Sequence, residues 1–114
     1  MFDFEKLNVY QEAIKLNKNI LCFIIENKKI DIYLKDQLKR ASISIVLNIS
    51  EGAGRYSKPD KRRFYVIARG CVYEVVGILN ILSQLGLMNN NYQDLYQCCE
   101  NISKMLIGMI NNLK

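Results

Sequence analysis

The sequence predicts an all-α protein, an antiparallel up-down-up-down four-helix bundle, and three observations lead there. One Pro and six Gly in 114 residues supply too little punctuation for a sandwich or barrel, which needs a turn signal every ~8–12 residues. Half the residues are hydrophobic and about a quarter are charged, the balance of a globular chain with one core. The apolar residues recur at threes and fours in four long stretches separated by short polar connections, which makes antiparallel neighbours the simplest packing.

Taken in order, Leu7, Tyr10, Ile14, Leu21 and Ile24, with Asn17 as a polar interruption, predict a first helix over residues 4–27. Asp3 is its expected N-cap, with Phe2 and Leu7 as a hydrophobic staple. The second helix is expected from Ile32 to Ala53, capped by Asp31 and ended by Gly52 and Gly54. Its Ile and Val runs suggest a strand, but about twenty residues without a turn exceed a strand's usual ~3–10. Ser57-Lys-Pro-Asp60 has the form of a capping box and opens a third helix that continues to Leu85, where Gly86 offers the left-handed stop. Asn89-Asn90-Asn91 turns the chain into a fourth helix, with Leu95, Cys98, Ile102, Met105, Met109 and Leu113 as the expected inner stripe.

The charge is uneven. Between Arg55 and Arg69 there are six bases and one acid, while the remaining ten bases and ten acids cancel, so the whole net charge of +5 belongs to this segment. At 100° per residue from Phe64, Lys61, Tyr65, Lys58, Arg69 and Arg62 fall at about 60°, 100°, 120°, 140° and 160°. A core stripe of Phe64, Ile67, Cys71, Ile78, Leu82 and Leu85 at about 300° to 0° leaves that basic stripe to solvent. Cations in a first helical turn oppose the helix dipole, so helix stability does not account for them; an anion does. Arg55, Lys58, Lys61, Arg62 and Arg69 are therefore the expected nucleic-acid contacts, with Tyr65 positioned to stack on an exposed base. A plain solvated face is the competing account.

On the second helix Arg40, Ser44, Asn48 and Glu51 form a narrow polar stripe, flanked on one side by core positions and on the other by Ile43 and Leu47. A helix apolar on two sides packs its own bundle and also meets another subunit, so Ile43 and Leu47 are the expected oligomer contacts. Glu74, beside the predicted core stripe, calls for a buried partner, and Arg40 is the candidate. Gly70 and Gly77, one heptad apart, are expected to let another helix approach closely.

Several chemistries are disfavoured. With no His, the commonest general base and metal ligand is missing, no second base, nucleophile or metal ligand accompanies Glu74, and catalysis by Glu51 or Glu74 would need a deep pocket at that carboxylate; no enzyme, metal or cofactor is expected. Cys22, Cys71, Cys98 and Cys99 lack CxxC spacing and are expected to be reduced thiols. Gly52-Ala-Gly54-Arg-Tyr-Ser57-Lys58-Pro59 approaches a Walker A run, but Ser57 and Pro59 stand where Gly and Ser/Thr are needed, and the run follows a helix. No basic leader precedes an apolar run and no stretch approaches the ~20 apolar residues of a membrane span, so a cytoplasmic protein without membrane contact is expected.

Leu7-Asn-Val-Tyr-Gln-Glu-Ala13, Gln37-Leu-Lys-Arg-Ala-Ser42, Ser44-Ile-Val-Leu-Asn-Ile-Ser-Glu-Gly52 with Gly54-Arg55, and Arg63-Phe-Tyr-Val-Ile-Ala68 followed by Glu74 span nearly the whole chain. Together they resemble the bacterial four-helix-bundle family first noted as reading frames inside intervening sequences of large-subunit ribosomal RNA genes. Relatives of that family are similar to the accessory variability protein of diversity-generating retroelements, a basic homopentamer that associates with a reverse transcriptase and nucleic acid. The resemblance implies a five-subunit ring without known catalysis. Five copies of the basic segment would bring about +25 to one assembly.

Overall fold

The computed structural model describes residues 1–114. Its helices are α1 (Asn8–Glu26), α2 (Ile32–Ala53), α3 (Lys58–Gln84) and α4 (Asn91–Asn112), preceded by a 3-10 turn over Asp3–Lys6. Each helix packs on the next in sequence and α4 closes back on α1, giving a four-helix bundle 44 × 26 × 22 Å in extent. Directions follow from side-chain contacts. Asn80 bonds Tyr92 at one end of the α3–α4 pair while Tyr73 and Glu100 line a cleft further along, so the two helices run antiparallel. Glu12 meets Cys98 while Phe23 lies with Leu95, so α1 and α4 do too.

The punctuation of the sequence explains the helix ends. The Asp31 carboxylate accepts from the amides of Tyr33 (2.9 Å) and Leu34 (3.3 Å), holding two otherwise unpaired donors of the first turn of α2. Ser57 Oγ accepts from Asp60 N at 3.2 Å, with Pro59 in the first turn of α3, where no backbone donor is needed. Gly86 has φ +72°, and the Leu87 and Gly86 amides donate to the Leu82 and Ser83 carbonyls, a Schellman closure. The first helix begins differently from expectation. Asp3 lies inside the 3-10 turn and Leu7 precedes α1, so Asp3 is not its cap and the staple does not form around it. Phe4 instead packs edge-on against Tyr10 with centroids 4.9 Å apart.

The core runs through Leu16, Ile20, Phe23, Leu38, Ile45, Ile49, Val72, Val75, Leu79, Leu82, Ile102 and Leu106, all fully buried. Relative to expectation it is rotated on three helices. On α1 the inner face is Val9, Ala13, Leu16, Ile20 and Phe23, while Ile14 is exposed. On α4 it is Leu95, Cys98, Cys99, Ile102, Leu106 and Ile110, with Met105, Met109 and Leu113 at its margin. On α3 it centres on Tyr65, Ala68, Val72, Val75, Leu79 and Leu82, with Phe64 and Ile78 of the expected stripe buried at its edge; Ile67 and Leu85 face out and Cys71 is half-buried. Each of these helices carries apolar residues on more than one side, so a single stripe read at helical spacing has two solutions.

Within α3, Val66, Ile67, Tyr73 and Ile81 are exposed in addition to the buried face. For that reason α3 is long and apolar enough, by length and composition, to cross a membrane, contrary to the expectation that no stretch approaches that size. In the bundle its inner face is core.

Candidate nucleic-acid interface

The α2–α3 junction brings the basic segment to one corner. Gly52 is buried there, and a Cβ built on it would lie 2.8 Å from Tyr65 Cε1 and 3.0 Å from Phe64 Cβ. The bare glycine therefore lets the end of α2 seat on the start of α3. Lys61 Nζ donates to the Ala53 carbonyl at 2.8 Å, placing a positive charge on the carbonyl end of α2, where the helix dipole favours it.

Two of the expected contacts are thereby reassigned. Lys61 lies about 60° from Phe64, on the bundle side of the wheel, and serves as a cap for α2. Tyr65 is 4% exposed and belongs to the core; burial pushes its phenol pKa up, and its ring is closed to a stacking base. Its place at about 100° within the basic stripe suggested a solvent position, but the ring is the surface against which Gly52 packs.

The remaining bases divide into two groups. Asp60 Oδ1 accepts from Arg63 Nη2 at 2.9 Å, and Asp60 Oδ2 lies 3.9 Å from Arg55 Nε. Both guanidiniums also lie over the Phe64 ring, 4.5 and 4.6 Å from its centroid. Asp60 thus answers two of the six bases, and these are the chain's only ion pairs. Lys58, Arg62 and Arg69 have no carboxylate partner. The Nε–H groups of Arg62 and Arg69 are buried and lack an acceptor. Arg69 rests over the Tyr73 ring, 5.0 Å from the centroid, and donates to the Tyr73 hydroxyl at 3.1 Å. Tyr73 is 61% exposed, and sequence reasoning missed it; its spacing of four from Arg69 was the available signal.

The second predicted cluster does not close in the way expected. Arg40, Glu51 and Glu74 are exposed and no ion pair joins them. Glu74 therefore has no buried Arg40 partner, because the α3 core face lies roughly 120° from it once the helix is rotated as observed. Its charge instead acts on Cys71, whose thiol pKa is raised first by burial and then by Glu74. Asn48 Nδ2 donates to the Ser44 carbonyl at 2.8 Å along α2, so these residues form local contacts and not a network. Ile43 and Leu47 are 38% and 52% exposed, on the side of α2 away from the core. Gly70 and Gly77 have nothing within 4 Å of a built Cβ, so no helix of this chain approaches them.

The cysteines are free thiols in graded environments. Cys22 is exposed, while Cys98 and Cys99 are buried. Burial pushes both buried thiols up to about 12; for Cys98 the S–H donating to Glu12 Oε2 at 3.3 Å adds to this. We expect an aromatic disulfide reagent at pH 8 to label Cys22 rapidly and to reach Cys98 and Cys99 only after denaturation. Folding strengthens these thiols' hold on their protons. The stability they contribute is complete below the unfolded thiol range near pH 9.0 and is lost as pH rises from there toward 12. A melting temperature unchanged between pH 8 and 11 in the native chain, relative to a Cys98→Ser/Cys99→Ala variant, would contradict this.

A family model described as 23S rRNA-intervening sequence protein matches residues 5–108. No curated protein matches. Among solved structures, the fold is similar to that of a protein of unknown function from the S23 ribosomal protein family of Bacteroides thetaiotaomicron VPI-5482. The TM-score is 0.82 at 23% sequence identity, over 90% of this chain and 97% of that one. That likeness establishes the shared bundle, and the family match extends over nearly all of the chain. This four-helix protein therefore belongs to the 23S rRNA-intervening sequence protein family.

Proposed function

We propose that this protein is a non-enzymatic homo-oligomer, a pentamer in the reading closest to its resemblance, that binds nucleic acid through the α2–α3 corner and the start of α3. The observation that carries the reading is the imbalance of charge at this corner: six bases against Asp60 alone, with Lys58, Arg62 and Arg69 unanswered. A cation in the first turn of α3 works against that helix, and two buried guanidinium N–H groups without acceptors are costly. Phosphate oxygens supply the countercharge that Lys58, Arg62 and Arg69 lack.

Self-association is supported by Ile43 and Leu47, exposed opposite the core, and by the outward Ile67 and Ile81 of α3. Copying the corner around a ring multiplies phosphate contacts without adding new chemistry to each protomer. Leu47→Glu is expected to shift the mass in solution toward the 13.2 kDa protomer while leaving the helical spectrum intact. An unchanged mass would remove Leu47 from the interface.

A second reading uses the same unanswered cations to dock an acidic protein or a reverse transcriptase, making the bundle an assembly scaffold. Gel shift with single-stranded RNA, single-stranded DNA and duplex DNA separates the two. Binding to at least one of them, lost when Lys58, Arg62 and Arg69 become Glu, supports the first; no binding to any supports the second.

A further inference from the structure

Beside the basic corner, α3 and α4 enclose a cleft of about 280 Å³ lined in part by Val72, Tyr73, Val76, Tyr96, Glu100 and Ser103. Its size lies just below the ~300–1,000 Å³ of small-ligand clefts, suited to one flat ring system and not to an extended cofactor. Val72 and Val76 give it an apolar floor. One wall is Tyr73, most of whose surface is open and whose ring carries the Arg69 guanidinium at 5.0 Å. The other wall includes Tyr96, which is stacked on Tyr92 with centroids 5.8 Å apart, and Tyr92 is in turn fixed by its bond to Asn80. Both aromatic walls are thus held in place before any ligand arrives, which lowers the ordering cost of binding.

The cleft continues the line of free cations. Along α3, Lys58, Arg62, Arg69 and Tyr73 occupy one side of the helix, at about 120° to 180° from Phe64, with Tyr73 roughly 6 Å along the axis beyond Arg69. A strand whose phosphates lie on Arg62 and Arg69 is led toward the cleft. We infer that this cleft takes one unpaired nucleobase, stacked on Tyr73, so that the partner is single-stranded nucleic acid and not duplex. A base within a duplex has both faces covered by its neighbours and is not free to stack on a side chain; an unpaired one is. At the cleft wall, Glu100 and Ser103 offer a carboxylate and a hydroxyl to the edge of the base.

This inference rests on the proposed phosphate surface, and its test keeps the two apart. Fluorescence anisotropy is measured with a labelled 20-nucleotide RNA and with the same sequence as duplex, for wild type, Tyr73→Ala, Tyr73→Phe and Arg62→Glu. We expect wild type to prefer the single strand. Tyr73→Ala should weaken single-strand binding about tenfold, equal to about 1.4 kcal/mol, leaving duplex affinity unchanged. Tyr73→Phe, which keeps the ring, should bind within about twofold of wild type. Single-strand affinity unaltered in Tyr73→Ala, or both forms weakened equally, would overturn the base site. If Arg62→Glu then still loses both forms, the phosphate surface stands without it; if Arg62→Glu also binds as wild type, the proposed function fails with the inference.

Discussion

Replacing Lys58, Arg62 and Arg69 together by Glu is expected to lower affinity for single-stranded RNA by roughly 100-fold at 0.1 M salt. The figure follows from counterion release: for a single strand, a slope of about −0.7 in log affinity per phosphate contact makes each contact worth about fivefold between 0.1 and 1 M salt, and three contacts multiply. The slope itself should become shallower by about two for each protomer engaged on the strand. The fold should survive, because all three side chains lie outside the fully buried core. Lys58→Glu alone should raise the melting temperature by about 2–5 °C, since a carboxylate in the first turn of α3 complements the dipole that the lysine opposes. Binding lost while stability rises is the signature of a charge placed for a partner. Affinity within threefold of wild type in the triple variant would remove this surface from the account.

The largest effect on stability is expected at Gly52. Gly52→Val must place Cβ 2.8 Å from the Tyr65 ring and 3.0 Å from Phe64 Cβ, closer than packed carbon atoms tolerate, and Tyr65 is itself buried and unable to swing away. Overpacking of this kind typically costs about 1–3 kcal/mol, and the added branch puts Gly52→Val near 3 kcal/mol. In a domain of this size that lowers the melting temperature by roughly 12–24 °C. Gly52→Ala should cost less, since the gain in helix propensity offsets part of the clash. Adding Tyr65→Leu to Gly52→Val should recover part of the loss, because the atom that is struck is gone. Thermal unfolding followed by circular dichroism reads all four proteins, and a Gly52→Val melt within about 3 °C of wild type would show that the α2–α3 seat yields readily.

What could be read from the sequence depended on whether a residue's role was local. Asp31, Ser57 and Gly86 act within four residues of themselves, and each does in the fold what its type and position predict. Helix existence and the three later connections follow for the same reason. The direction each helix faces is set by two neighbours at once. Tyr65 reads as an aromatic inside the basic stripe until Gly52 is seated on it, and Lys61 reads as one more exposed base until the end of α2 arrives beside it. Glu74 was placed against the core by a wheel drawn through Ile67 and Leu85; small residues at Ala68, Val72 and Val75 show where the neighbours come close. The basic corner was legible as charge density. Its division into bases paired with Asp60, one capping lysine and three unanswered cations required tertiary contacts. Tyr73 entered only through Arg69 and the cleft made with α4.

The two halves of the proposal, self-association and capture of nucleic acid, meet in a single measurement: light scattering coupled to size exclusion, on the protein alone and with a 20-nucleotide RNA. One species is expected, with a mass that is a small multiple of 13.2 kDa, about 66 kDa for a pentamer, that carries the RNA with it at 0.1 M salt and releases it at high salt. A 13.2 kDa monomer that elutes apart from the RNA at both salt concentrations would contradict it.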